Sequence, residues 1–314
     1  MLSIVVISYN TKKETLECLH SIFRETRETP FEVIVLDNAS TDESALAIQH
    51  VFNDQLLLIT SDINLGFARG NNTAMKYAKG DYILLLNPDT VVLDGAIDKL
   101  VAFADSIPDA GIWGGRTLWA DKSLNPASCW MKQTIWSLIS QMLGLSSLFR
   151  KSTLFNPEGI GGWNRKGIRK VEIVSGCFFL IRHDLWKKLN GFHPDFFMYG
   201  EEADLCLRAK QFGAQPVVSS NATIIHYGGA SEKVQADKFV RLLKAKCLLI
   251  HRHFPSYKKT LGIILLAAWP LTRFWAHSIA SLLKREPLSE RQKMWYTVWA
   301  RRKEWFHPEL RSVS

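Results

Sequence analysis

Asp81-Tyr-Ile-Leu-Leu-Leu-Asn-Pro-Asp89 sets an apolar strand directly against two oxygen-bearing side chains and a rigid turn. A strand that stops in polar groups is where an open α/β sheet receives its ligand, because the carboxyl ends of its strands border the crevice. Asn87 and Asp89 stand two residues apart, so both side chains project to one side if the chain stays extended, and Pro88 fixes φ between them. One carboxylate and one amide oxygen suit Mg2+ or Mn2+, above all when substrate phosphates supply the other ligands. The same tripeptide also reads as an ordinary Asn-Pro-Asp turn.

The preceding segments favour the ligand reading. Residues 3–8 (Ser-Ile-Val-Val-Ile-Ser) and 31–36 (Phe-Glu-Val-Ile-Val-Leu) are short β-branched runs without strict alternation, the pattern of strands buried on both faces. Each precedes a helix signal: Thr11 with Glu14, then Ser40 with Glu43, are spaced as capping boxes ahead of apolar stripes. A third apolar run at 56–59 leads into the turn-rich residues 64–72 and a helix closing near Gly80. Strands alternating with helices predict a mostly parallel sheet with its ligand at the strand carboxyl ends.

Those ends repeatedly carry small polar residues: Ser8-Tyr9-Asn10, Asp37-Asn38 and the four residues after them, Asn64 to Asn72, and Asn87-Pro-Asp89. A dinucleotide fold is disfavoured because Gly66 and Gly70 follow the third strand and no Gly-x-Gly-x-x-Gly follows the first. The order of elements closely resembles the GT-A fold of family 2 inverting glycosyltransferases, in particular their rhamnosyltransferase-like branch. The matching words are Val-Val-Ile-Ser-Tyr-Asn at 5–10, Val-Leu-Asp-Asn-Ala-Ser-Thr-Asp at 35–42, Asn-Leu-Gly-Phe-Ala-Arg-Gly-Asn-Asn at 64–72 and Leu-Leu-Leu-Asn-Pro-Asp at 84–89. Two later words extend the resemblance to about residue 231.

The resemblance implies a nucleoside diphosphate sugar as donor. Asp37 would hydrogen-bond its base or ribose with Asn38 alongside, and Ser8, Tyr9 and Asn10 would border the same site. Gly66 and Gly70 would admit close backbone approach, and Asn64 and Asn72 would donate to the ligand. The family's metal motif is usually two aspartates around one residue. Here Asn87 takes the first place, as in the rhamnosyltransferase-like branch, which leaves Asp89 as the main metal ligand for Mg2+ or Mn2+.

Phe196-Phe-Met-Tyr-Gly-Glu-Glu-Ala-Asp-Leu-Cys-Leu-Arg208 starts a helix near Glu201, and Gly213 supplies its stop. Three acids in a first turn follow from the helix dipole alone, and Asp204 with Arg208 is an ordinary i, i+4 pair. In the family a Glu-Asp pair at this place contains the general base. Here it reads Glu201-Glu202, so Glu202 stands at the usual aspartate position, with Glu201 and Asp204 beside it. Ile224-Ile-His226-Tyr-Gly-Gly-Ala-Ser231 puts an imidazole at the end of a strand. Structurally this is a lone histidine; by resemblance His226 completes the metal or diphosphate site, with a closing loop over residues 228–233. Residues 174–182 read as a strand and 184–189 as a helix start, whereas 123–168 match no motif and read as an acceptor-facing excursion.

Composition separates the C-terminal segment. Residues 233–314 hold 17 Lys and Arg against 5 Asp and Glu, or +12, so the remainder is −3 within a total of +9. Five of the eleven tryptophans lie there. Basic residues interleaved with tryptophan and leucine describe a membrane-surface binder. Leu261 to Leu271 is too short to span, Pro270 is expected to kink it and Arg273 to interrupt it, so an interfacial or re-entrant helix is expected. No nucleic-acid-binding motif accompanies the charge. Met1-Leu-Ser-Ile runs straight into the first strand, predicting no export and a cytoplasmic enzyme at the inner membrane face. Five dispersed cysteines read as reduced thiols.

The expectation is a GT-A (Rossmann-like) α/β catalytic domain over 1–232, with a nucleotide-sugar half to residue 90 and an acceptor half after it, and an amphipathic helical tail over 233–314. The resemblance implies a reaction that moves a sugar, with dTDP-rhamnose favoured as donor by the Asn-Pro-Asp branch, with inversion onto a saccharide or lipid-linked saccharide of a cell-surface polymer. Two rivals stand beside it: a noncatalytic sugar-nucleotide-binding scaffold, and a transferase using a UDP-hexose or UDP-galactofuranose.

Overall fold

In the computed structural model, which describes residues 1–228, 234–284 and 289–306, strands and helices alternate through the first hundred residues. They are β1 (Leu2–Ser8), α1 (Lys12–Glu25), β2 (Phe31–Asp37), α2 (Ser44–Phe52), β3 (Leu57–Thr60), α3 (Gly66–Ala74), β4 (Tyr82–Leu86), β5 (Thr90–Val92) and α4 (Ala96–Ser106). A less regular stretch follows: β6 (Ile112–Leu118), β7 (Leu124–Asn125), β8 (Cys129–Trp130), α5 (Ile135–Met142), α6 (Leu145–Leu148), β9 (Ile168–Lys170), β10 (Ile173–Val174), β11 (Phe178–Arg182), α7 (His183–Lys188), α8 (Glu201–Ala209) and β12 (Val217–His226). Beyond it come α9 (Gln235–His253), α10 (Ser256–Lys284), α11 (Glu290–Ala300) and α12 (Lys303–Phe306).

The main sheet has the order β3-β2-β1-β4-β11-β6-β12-β5, with β7 against β6 and β9 against β12. Its first four strands are parallel, β11 lies antiparallel to both β4 and β6, and β12 returns parallel to β6. Residues two apart on a strand share a face. Ile4 and Val6 pack with Cys18, Leu19 and Ile22 of α1 and with Ile97 and Leu100 of α4. On the alternate parity, a Cβ at Gly70 of α3 would stand 3.2 Å from Ile7. Cover on both faces accounts for strands that lack polar alternation.

The described residues form two compact units. One takes residues 1–130, 164–197 and from 201 through β12; the other takes 131–163, 198–200 and helices α9 to α12. The sequence pattern divides the chain once, near 232, but α5 of the motif-free stretch joins the tail. Its Leu138 belongs to one buried cluster with Val240, Leu243 and Ile250 of α9, Leu266 of α10, Trp295 and Val298 of α11, and Trp305 of α12. α10 continues as helix through Pro270, which forgoes one backbone hydrogen bond. The loop expected over 228–233 lies outside the described residues after Gly228.

Two helix starts differ from the capping pattern. Thr11 precedes α1, but its hydroxyl pairs with Thr15 Oγ1 at 3.1 Å, and the Lys12 N–H donates to Asp42 at 2.9 Å. α2 begins at Ser44, after Glu43 in the left-handed region at φ 63°. Ser40 instead accepts the Asn10 N–H at 3.0 Å, and Asp42 accepts from both the backbone and the hydroxyl of Ser44. The cause is register: Ser8 lies opposite Asp37, so the loops leaving β1 and β2 emerge side by side and bond to each other.

Burial opposes the charge on Asp42, yet donation from Ser44 and the Lys12 N–H holds its carboxyl below the usual range. A depressed carboxyl stabilises fully above its unfolded pKa of about 3.9 and loses that contribution as pH falls through the folded value. Asp42→Ala is therefore expected to cost about 1–2 kcal/mol at neutral pH. Urea melts should show that gap to wild type narrowing in acid; coincident melts at neutral pH would contradict the anchoring role.

Candidate active site

β4 ends at Leu86, and Asn87-Pro88-Asp89 turns the chain directly into β5. The Thr90 hydroxyl donates to the Asn87 carbonyl at 2.8 Å, and the Asn87 N–H donates to the Cys177 carbonyl at 3.2 Å. β5 pairs antiparallel with the end of β12, placing His226 opposite Thr90, and the Tyr227 N–H donates to the Asp89 carbonyl at 3.0 Å. That pairing sets His226 Nε2 3.3 Å from Asp89 Oδ1 and 3.4 Å from Asn87 Nδ2.

Asn87 Oδ1 is buried without a hydrogen-bond partner. Leaving such an oxygen unsatisfied costs about 1–3 kcal/mol, so a ligand that approaches it finds a ready acceptor. Burial opposes the charge on Asp89, but His226 holds its carboxyl below the usual range. Burial likewise disfavours a His226 cation, yet the Cys177 sulfur and the Asp89 carboxylate raise it to about 10. A raised imidazolium is fully present below its unfolded pKa and lost only as pH climbs through the folded value, so the pair is charged across neutral pH.

A carboxylate and an amide oxygen at one turn, with His226 beside them, fit part of a shell for Mg2+ or Mn2+. Among the described residues no group of three His, Cys, Asp or Glu converges on one point. Substrate oxygens and water would have to complete the coordination.

At the end of β2, Asp37 Oδ2 accepts the Ser40 N–H at 3.0 Å, while its buried Oδ1 has no partner. Several of the other candidate donor contacts have side-chain partners within the protein. Ser8 is fully buried with its hydroxyl 3.0 Å from that of Thr15. Asn10 Oδ1 accepts the Thr41 N–H at 2.7 Å. Asn38 accepts the Leu65 N–H at 2.8 Å and donates to Asn64 Oδ1 at 3.0 Å, and Asn64 Oδ1 also accepts the Gly66 N–H at 2.9 Å. Tyr9 is half-buried.

Residues 64–72 likewise hold protein rather than present an open loop, since α3 begins at Gly66. Gly66 has φ +74°, and a Cβ there would stand 2.4 Å from the Phe197 carbonyl oxygen. The Phe67 N–H donates to that same oxygen at 2.7 Å. Asn72 donates to the Phe192 carbonyl at 2.8 Å and accepts the Phe192 N–H at 2.9 Å, and Arg69 Nε donates to the Pro194 carbonyl at 3.3 Å. α3 thus grips residues 192–197, the backbone that leads into α8.

Tyr199 and Gly200, at φ 72° and 84°, turn the chain into α8. Glu201 and Glu202 open that helix, 3% and 9% exposed, at the end whose free N–H groups favour negative charge. Asp204 is wholly buried, its Oδ2 accepts Arg208 Nε at 2.7 Å, and Arg208 also donates to the Leu189 and Gly191 carbonyls. It therefore anchors α8 to the end of α7. Cys177 neighbours His226 without any signal of it in the sequence. It arrives because β11 runs antiparallel to β4 with Phe178 opposite Leu86, a register with no local sequence signal.

The family model for glycosyl transferase family 2 matches residues 3–190. This chain belongs to that family. It is 26% identical over 241 residues to the O-antigen biosynthesis protein RfbC of Myxococcus xanthus, covering 74% of this chain but only 18% of that much longer protein. It is also 26% identical over 245 residues to N-acetylglucosaminyl-diphospho-decaprenol L-rhamnosyltransferase of Mycobacterium tuberculosis, covering 72% of this chain and 76% of that one. Among solved structures, the mannosyltransferase PcManGT of Pyrobaculum calidifontis, in complex with GDP-Man and Mn2+, superposes with a TM-score of 0.57 at 16% identity, over 96% of this chain and 85% of that one. The GT-A fold of this family 2 chain is thereby shown.

The α3 grip yields a test. Asn72→Ala removes both bonds to Phe192 without touching the strand-end acids, and it is expected to lower sugar-transfer turnover about tenfold or more while nucleoside diphosphate affinity stays within about twofold. Calorimetric titration with the nucleotide, beside steady-state kinetics, separates the two. A loss confined to nucleotide affinity would return Asn72 to the donor site.

Proposed function

We propose that this family 2 protein is an inverting transferase that moves a sugar from a nucleoside diphosphate sugar to a saccharide or lipid-linked saccharide in cell-surface polysaccharide synthesis. One observation carries the reading: Asn87, Asp89 and His226 converge at the carboxyl end of β4 with an unpartnered amide oxygen among them. Rhamnose is the favoured sugar, supported by the Asn-Pro-Asp motif and by the rhamnosyltransferase named among the relatives. Work at the inner face of the cell membrane is supported by the basic, tryptophan-rich residues 233–314.

In this reading Asp37 Oδ1 accepts a hydrogen bond from the nucleoside, using the acceptor that has no protein partner. Asn87 and Asp89 would hold Mg2+ or Mn2+, which supplies neutralising charge for the departing nucleoside diphosphate. His226, 3.3 Å from Asp89, would donate to the same diphosphate. Glu202 accepts the proton of the acceptor hydroxyl as that oxygen bonds to the anomeric carbon. The bond from that carbon to the phosphate oxygen breaks on the opposite face, with the electron pair leaving on the diphosphate, so the configuration inverts. A positioned base of this kind contributes on the order of 10² to 10⁴ in rate.

Nucleoside diphosphate release by the full chain is the deciding measurement, taken with dTDP-rhamnose and a series of UDP- and GDP-sugars, with Mn2+, Mg2+ or chelator. Metal-dependent turnover of one donor, reduced at least about 100-fold in both Asp89→Ala and Glu202→Gln, is the expected result. Tight donor binding without turnover across a broad acceptor panel would instead favour the noncatalytic scaffold.

A further inference from the structure

α10 turns one side into its own helical core and leaves the other to solvent. Leu265, Leu266 and Ala267 are buried, whereas Tyr257, Leu261, Ile264, Trp275, Ile279 and Leu282 are exposed, Trp275 by 60% and Leu282 by 78%. Their successive spacings of 4, 3, 11, 4 and 3 residues line them along one side of the helix. From Thr260 to Leu283 the sequence holds a single charged residue, Arg273. That guanidinium turns inward, donating to the Gln141 carbonyl at 2.7 Å. Gly144 makes room for it, since a Cβ there would stand 2.8 Å from Arg273 Nη1. The outward face is consequently uncharged over about 35 Å of helix.

The charge distribution names what covers that face. Lys258 is exposed at one end, and residues 233–314 carry +12. A spanning orientation conflicts with the packed side. There the Thr272 hydroxyl donates to the Met142 carbonyl at 2.7 Å and Gln292 Nε2 donates to Ser278 Oγ at 2.6 Å. α5 and α11 would have to enter hydrocarbon with α10, taking the exposed Glu290 and Lys293 with them. α10 is also the helix, among the described residues, that is long and apolar enough to cross a bilayer. Its packing converts that composition into a surface contact.

We propose that the uncharged face of α10 docks on an anionic lipid bilayer with the helix axis in the plane of the surface, its apolar side chains entering the headgroup boundary and its flanking cations meeting lipid phosphates. This gives physical form to the membrane part of the reading above and rests on it. Its readout is binding without turnover, so its failure and the failure of the transferase reading are told apart.

The test is co-sedimentation of the full chain with vesicles of phosphatidylcholine alone or mixed with phosphatidylglycerol, beside gel filtration. Wild type should bind the mixed vesicles, more weakly as salt rises, and the exposed-site double variant Ile264→Glu/Ile279→Glu, with unchanged circular dichroism, should bind them about 100-fold more weakly. Four results would each overturn the proposal: no vesicle binding by folded wild type, equal binding by the double variant, resistance to alkaline extraction as for a spanning segment, or a wild-type dimer that the substitutions dissolve.

Discussion

β1 pairs in parallel with β2 on one side and β4 on the other, and the candidate site depends on this constraint. Parallel pairing brings the carboxyl ends of three strands to one edge of the sheet, where Ser8, Asp37 and Asn87 follow apolar runs buried on both faces. Once those ends are neighbours, their loops have each other as the nearest hydrogen-bonding partners. Asn10 with Thr41, Ser40 with Asn10 and Asp42 with Lys12 are results of that proximity. The antiparallel return of β12 along β5 then supplies His226 from the far end of the unit.

Charge is distributed around the site by the same economy of partners. Buried ions persist where an opposite charge or oriented donors compensate their desolvation. His226 compensates Asp89, and Arg208 compensates Asp204. Glu201 and Glu202 instead sit where the backbone of α8 itself presents positive partial charge. The acids of the motif at 201–204 thus divide into an internal anchor and a pair placed at the helix opening, although they stand within four residues of one another.

The strands of the first half were legible because apolar runs of β-branched residues admit few other readings. The α8 start was legible from acids followed by helical spacing and a glycine stop. The sequence did not reveal which polar residues at the strand ends face a ligand and which face each other. That choice rests on strand register, and register is decided by residues tens of positions away. Asn38, Asn64 and Asn72 look alike as candidate donor contacts, and the structure gives all three protein partners. Asp37 alone among the polar residues ending β1 and β2 keeps an unpartnered buried oxygen. The inward turn of Arg273 was equally hidden, since a charge in a linear sequence interrupts an apolar stretch whichever way its side chain points. α5 carries no signature in the sequence, because a short helix needs its packing partners before its apolar side means anything.

The hold of α3 on residues 192–197 bears on how such enzymes can be recombined. The chain invites division near residue 90 into a nucleotide half and an acceptor half, as though the two were interchangeable cassettes. Four hydrogen bonds and the glycine contact at Phe197 join the far sides of that division. A chimera that imports a new acceptor half must therefore import residues shaped to fit α3, or carry α3 along with it. The unit of inheritance at this site is a pair of segments more than a hundred residues apart, not a contiguous stretch of chain.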